Sequence, residues 1–178
     1  MTTQNPRRVK TGVVRLSYAN IWKPRAAEAG QEPKYSVSLI IPKTDKTTLA
    51  AIKAASDEAL KEGITRKWGG KKPANLKLPL RDGDVDRPDD EAYAGAWFLN
   101  TSAKKKPLIL DADRNEVYDE SEVYSGCYAR AIIECYPFDV SGNRGVAVNL
   151  QAIQKIRDGE PLGGAQVSAS DFDDEDDI

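Results

Sequence analysis

The side chains with the most chemistry to offer fall into two runs of opposite charge. Asp82, Asp84, Asp86, Asp89, Asp90 and Glu91 crowd one short stretch, and carboxylates at that density can hold a divalent cation. D-G-D-V-D begins like a calcium loop, but Arg87 stands sixth, where the turn needs glycine. Tyr93 stands twelfth, where a bidentate glutamate belongs. Two or three carboxylates suffice for magnesium-dependent hydrolysis, so Asp82, Asp84 and Asp86 support an alternative reading as a metal-dependent nuclease. Asp and Gly at this spacing are also ordinary turn formers, and a solvated loop is the plainer expectation. The opposite run holds Lys61, Arg66, Lys67, Lys71, Lys72, Lys77 and Arg81 against the single acid Glu62, with Trp68 inside it. Unpaired nucleic acid needs cations along its backbone and aromatic faces for its bases. Trp68, Lys71, Lys72, Lys77 and Arg81 are therefore candidate contacts, and Gly69 and Gly70 would let the backbone approach closely.

Two further features have the same chemistry. Lys104, Lys105 and Lys106 are consecutive, and three adjacent ammonium groups in a hairpin loop repel one another unless an anion sits among them. In CYARAIIECYPF, alternation turns Ala131, Ile133 and Cys135 toward a core. Tyr128, Arg130, Glu134 and Tyr136 then share the other face, where the tyrosines and arginine would make a stacking platform.

Composition removes most enzyme chemistry. The chain has no histidine, so it lacks the usual general base near neutral pH, and Ser-His-Asp and Cys-His triads are impossible. Cys127 and Cys135 are its two cysteines, too few to close a structural zinc shell. Eight residues of strand separate them by about 26 Å, beyond disulfide reach, so two buried thiols are expected. No catalytic residue, cofactor or metal is assigned.

The formal net charge of −2 conceals an asymmetry. The last eight residues carry six acids and no base: Asp171, Asp173, Asp174, Glu175, Asp176 and Asp177, with Phe172 and Ile178 between and after them. With those set aside, residues 1–170 hold 22 acids against 26 bases, a formal +4. The pattern is a mildly basic body with an acidic segment expected to be disordered. A segment that docks on partners would use its acids for steering and Phe172 and Ile178 as apolar anchors. No apolar run approaches the roughly 20 residues of a membrane span, and MTTQNPRRVK has no hydrophobic stretch after its arginines, so a cytoplasmic protein is expected.

The elements that must position these residues are mostly strands. Residues 7–22 read as a long strand with a bulge near Gly12, and KYSVSLIIP puts Tyr35, Val37, Leu39 and Ile41 on one face. A helix capped by Thr44 or Asp45 runs to about Glu62 with the stripe Leu49, Ile52, Ala55 and Ala59, and Gly63 stops it. Residues 64–92 are a long, basic and then acidic loop. Strand character returns in AGAWFLNTS, KPLILD, YSGCYARAIIECYPF and GVAVNLQAIQKI. Without βαβ alternation this is a mainly β antiparallel barrel or sandwich with one prominent helix. The expected division is a domain at 1–158, a linker at 159–170 and a tail at 171–178.

SYANIW, KYSVSLIIPK, KWGGKKP, LRDGD, YSGCYARA and GNRGVAVNLQAIQKIRDGEPLGG together resemble phage-encoded single-stranded-DNA-binding proteins that pair a modified OB fold with an acidic C-terminal tail. DFDDEDDI is also similar to the acidic tips of bacterial single-strand-binding proteins, though it ends in Ile178 rather than Pro-Phe. The resemblance implies an OB-like barrel and non-catalytic, sequence-independent ssDNA binding in replication, recombination or repair, inside the infected bacterial host cell. It implies replication and recombination proteins as partners of the tail, and a monomer or homodimer. A third reading is a decoy whose acidic segment mimics DNA.

Overall fold

The computed structural model describes residues 5–26 and 28–162. In chain order it contains β1 (Arg8–Lys10), β2 (Val14–Arg25), β3 (Lys34–Pro42), helix α1 (Lys46–Arg66), the short β4 (Arg81–Asp82), the single helical turn α2 (Gly83–Asp86), β5 (Ala96–Ala103), β6 (Leu108–Leu110), β7 (Tyr128–Val140) and β8 (Asn143–Arg157). Strands β7, β2, β3, β5 and β8 pair in that order, and β8 pairs again with β7, closing a five-stranded ring. All contacts in the ring are antiparallel except β5–β8, which is parallel and joined at Ser102↔Asn149. A closed ring of five strands with one parallel seam is the OB-type barrel that the family resemblance implies.

Alternation decides which side chains fill it. On β3, Val37, Leu39 and Ile41 point inward; on β7, Ala129, Ala131, Ile133 and Cys135; on β8, Val146, Val148 and Leu150. Helix α1 contributes Ile52, Ala55 and Ala59 to the same core. Its N-cap is Asp45, whose carboxylate accepts from Thr48 N at 3.1 Å. The free thiols of Cys127 and Cys135 lie in this core, as expected, and burial pushes Cys135 up to about 11.

The single long N-terminal strand is in fact two. Thr11 leaves the β pattern and its hydroxyl accepts from Ala131 N, while Gly12 N donates to Thr48 Oγ1. The register irregularities lie further on, between Ser17 and Asn20 and between Asn20 and Arg25. Gly63 does not stop α1, which continues to Arg66. A Cβ at Gly63 would lie 2.6 Å from the Trp68 ring, so this glycine makes room for a tryptophan. Residues 159–162, assigned by composition to the linker, are tied to the barrel. Arg15 Nη2 donates to Glu160 O at 2.6 Å, Leu162 N donates to Ser125 O at 2.9 Å, and Tyr124 Oη donates to Gly159 O. The tail at 171–178 lies outside the described residues.

Candidate nucleic-acid interface

Cross-strand register assembles a site that no continuous stretch of sequence contains. Asn20 pairs with Ser36, Ser36 with Ser102, Ser102 with Asn149, and Asn149 with Glu134. Partners in register share a face, so these five form a polar row across the outside of five strands. All five are half-buried. Over the row lie two adjoining depressions of about 650 and 610 Å³ that share Lys34 and Ser102. Their walls carry Arg25, Lys34, Lys104, Lys105 and Lys106, with Tyr136 at one side.

The lysine triplet reaches this groove by a route that the hairpin expectation missed. Strands β5 and β6 both run parallel to β8, one after the other. The chain advances six residues, from Ser102 to Leu108, while β8 advances three, from Asn149 to Ala152. The excess is pushed outward as Lys104–Lys106, all three exposed. Lys106 Nζ stands 4.8 Å from the Trp22 ring, and Lys104 Nζ lies 3.9 Å from Glu32. These contacts are loose enough to yield to a competing anion. Glu134, the acid in the floor, pairs with Arg7 at 3.2 Å and accepts from Gln151 Nε2 at 3.0 Å. Arg7 also pairs with Glu62 at 3.0 Å, so the groove has a cationic rim, with Glu32 among its lysines, and a polar bed that holds one partly compensated acid.

The other sequence candidates are placed differently. Trp68 is 4% exposed, and its indole N–H donates to Phe138 O at 3.2 Å. The expectation of an exposed stacking ring is thus corrected: Trp68 fills the space over Gly63. Lys71, Lys72, Lys77 and Arg81 are exposed but line neither depression. Lys77 is fixed against the start of β8, its N and O bonded to Arg144 O and Val146 N. Tyr128 occupies the outer face as expected, but Arg157 covers its ring at 4.3 Å and Arg15 lies at 5.6 Å. Arg130 is exposed and pairs in register with Gln154. Tyr136 alone of the proposed platform lines the groove, and burial pushes its phenol above the ordinary range. Arg25, Lys34 and the Ser/Asn floor were missed, since each is an unremarkable residue until register brings them together.

The acidic run is structural. Asp82 accepts from Asp84 N and caps α2, and Asp90 accepts from Ala92 N. Lys43 Nζ lies 2.8 Å from both Asp82 and Asp84, and its hydrogen bond holds Asp84 below the usual carboxylate range. Among the described residues no three His, Cys, Asp or Glu converge as a metal site, and no helix is long and apolar enough to cross a membrane.

Comparison with known proteins agrees with this fold. The ssDNA-binding protein of bacteriophage Enc34 in complex with ssDNA superposes with a TM-score of 0.76 at 33% identity, over 88% of this chain and 90% of that one. The gp2.5 single-stranded-DNA-binding protein of bacteriophage T7 shares the fold at a TM-score of 0.64 and 16% identity, over 94% and 93%. Protein p50 of Acyrthosiphon pisum secondary endosymbiont phage 1 is 32% identical over 94% of this chain and 93% of its own length. The sequence model of the Enterobacter phage Enc34 ssDNA-binding protein matches residues 7–178, and the chain belongs to that family.

Proposed function

We propose that this protein binds single-stranded DNA without regard to sequence, along the groove over Asn20, Ser36, Ser102 and Asn149. The observation that carries the reading is the division of labour in that groove. Arg25, Lys34 and Lys104–Lys106 line its rim, while its bed is polar and hydrogen-bonding, with Glu134 held by Arg7 and Gln151. Cations at a rim neutralise phosphates, whose spacing is the same for every sequence. Tyr136 offers a π-face, which every base can use. Membership of the Enc34 family adds independent support, one relative having been solved with ssDNA bound. The role is binding in phage replication, recombination or repair, with no chemical step.

The acidic residues 171–178 act, in the same proposal, as a competitor for the groove and as a docking peptide for replication and recombination proteins. Six carboxylates tethered to a basic body reach an effective concentration in the millimolar range. Each exposed ion pair is weak, so DNA displaces them readily. Titrating oligo-dT against a hairpin duplex at several salt concentrations tests the main reading. Preference for oligo-dT with a steep salt slope is expected, and equal affinity for the duplex would remove it. Deleting 171–178 should raise affinity at low salt, and the gain should shrink as salt rises.

A further inference from the structure

Tyr18 stands two residues from Asn20 of the groove, in an arrangement that the polar bed and lysine rim do not account for. It is 58% exposed and holds a φ of +49°, a region that L side chains with a Cβ disfavour. The register irregularity between Ser17 and Asn20 turns it outward, and Asn20 Nδ2 donates to Tyr18 O at 3.2 Å. Asn20 is itself part of the groove, so the same irregularity shapes the bed and presents the ring.

Beneath Tyr18 lies a cation. The Arg87 guanidinium is 5.2 Å from the Tyr18 ring, 5.0 Å from Tyr93 and 5.1 Å from Phe98. Its buried Nε has no hydrogen-bond partner, and among the described residues no acid forms a salt bridge with it. Tyr93 and Phe98 meet edge to face, their centroids 5.0 Å apart and their planes at 84°. They sit on the groove's side of the sheet. Phe98 alternates with Asn100 and Ser102 along β5, and Tyr93 Oη bonds Ser38 Oγ, two residues from Ser36. The order from the barrel outward is thus Phe98 and Tyr93, then Arg87, then Tyr18, then open space.

We propose that Tyr18, braced from behind by Arg87, is a stacking site for one unpaired base of the bound strand. This rests on the reading of the groove as a single-stranded-DNA site. An arginine stacked under a tyrosine fixes the ring in place before ligand arrives, so little side-chain freedom is lost on binding. It also places a guanidinium behind the ring, where its charge adds to the attraction for a phosphate. An exposed ring held in strained backbone, two residues from a groove residue, fits a binding role better than a packing role.

The test uses full-length protein with Tyr18→Ala, Tyr18→Gly and Tyr18→Trp, titrated with oligo-dT at several salt concentrations. Tyr18→Ala and Tyr18→Gly should each bind about 10-fold more weakly. The salt slope should stay unchanged, because no charge is removed. Tyr18→Gly should melt no lower than wild type, since glycine takes this φ without strain. Tyr18→Trp should gain a tryptophan signal that oligo-dT quenches. Wild-type affinity in Tyr18→Ala and Tyr18→Gly overturns the proposal, and so does an affinity loss matched by a lower melting temperature in both. Failure of the wild type itself to bind oligo-dT would instead bring down the reading of the groove.

Discussion

Two lysine-rich segments, each with a tryptophan nearby, end in different surroundings. The first, Lys61–Arg81, has Trp68 at its centre; the second, Lys104–Lys106, has Trp22 within reach of Lys106. In the first, the tryptophan turns inward over Gly63 and its N–H is spent on Phe138 O, so its basic neighbours stand exposed without a ring among them. In the second, the excess length between β5 and β6 forces the lysines out over a polar row. The difference lies in what stands opposite each segment. A glycine on a helix offers a socket for a ring, whereas a parallel strand too short for its partner offers only outward space. Local composition names the chemistry available, and distant register decides which surface receives it.

The sharpest way to break this comparison is Trp68→Ala. Emptying a buried site of that size should cost about 3–5 kcal/mol of stability, measured by urea denaturation. The protein that remains folded should bind oligo-dT as wild type does. A normal denaturation midpoint with lost DNA affinity would put Trp68 back at the interface and make the two segments equivalent.

Replacing Lys104, Lys105 and Lys106 by alanine tests the other half. The slope of log affinity against log salt should flatten by about 0.7 per lost phosphate contact, which at 0.1 M salt amounts to about 100-fold for three. Lys71→Ala with Lys72→Ala should leave that slope nearly unchanged. If the two sets of variants lose equally, the groove is not the main site.

Gly63→Ala sharpens the socket argument at smaller scale. The new methyl would overlap the Trp68 ring, and overpacking of this kind should cost about 1–3 kcal/mol with DNA binding intact. An unchanged melting temperature would mean that Trp68 is free to move aside.

The smallest effect concerns the acidic run. Asp84 is held below its ordinary value of 3.8 by Lys43, so its contribution to stability is fully present above that value. It is lost as pH falls through the lowered one. Acid titration of stability should therefore be shallower in Lys43→Met than in wild type below about pH 4. Identical acid limbs would show that this exposed cluster contributes nothing measurable.

The barrel was legible because its strands alternate cleanly. Val37, Leu39 and Ile41, and Ala131, Ile133 and Cys135, turn inward as read, and Asp45 caps α1. Family motifs supplied the ring's OB character, which periodicity alone could not distinguish from a sandwich. Of the residues lining the proposed groove, the sequence alone marks only Lys104–Lys106 and Tyr136 as contacts. Its floor was hidden because serine and asparagine carry no pattern, and because Ser102 and Asn149 meet across a parallel seam. Trp68 was misplaced because its partner carbonyl lies 70 residues downstream. The acids of residues 82–91 suggested a metal because composition cannot show that Lys43 and backbone amides already engage Asp82, Asp84 and Asp90.

That parallel seam has a consequence for how the wall breathes. Ser102↔Asn149 is the single registered pair joining β5 to β8, whereas β3 and β5 share eight. Local opening follows the thinnest joint, so amides around residues 100–103 and 148–151 should exchange with solvent before the rest of the ring. A strand of DNA lying in the groove would cross this joint and act as a staple. Hydrogen exchange in the presence of oligo-dT should then slow there first, reporting occupancy through the backbone of the barrel itself.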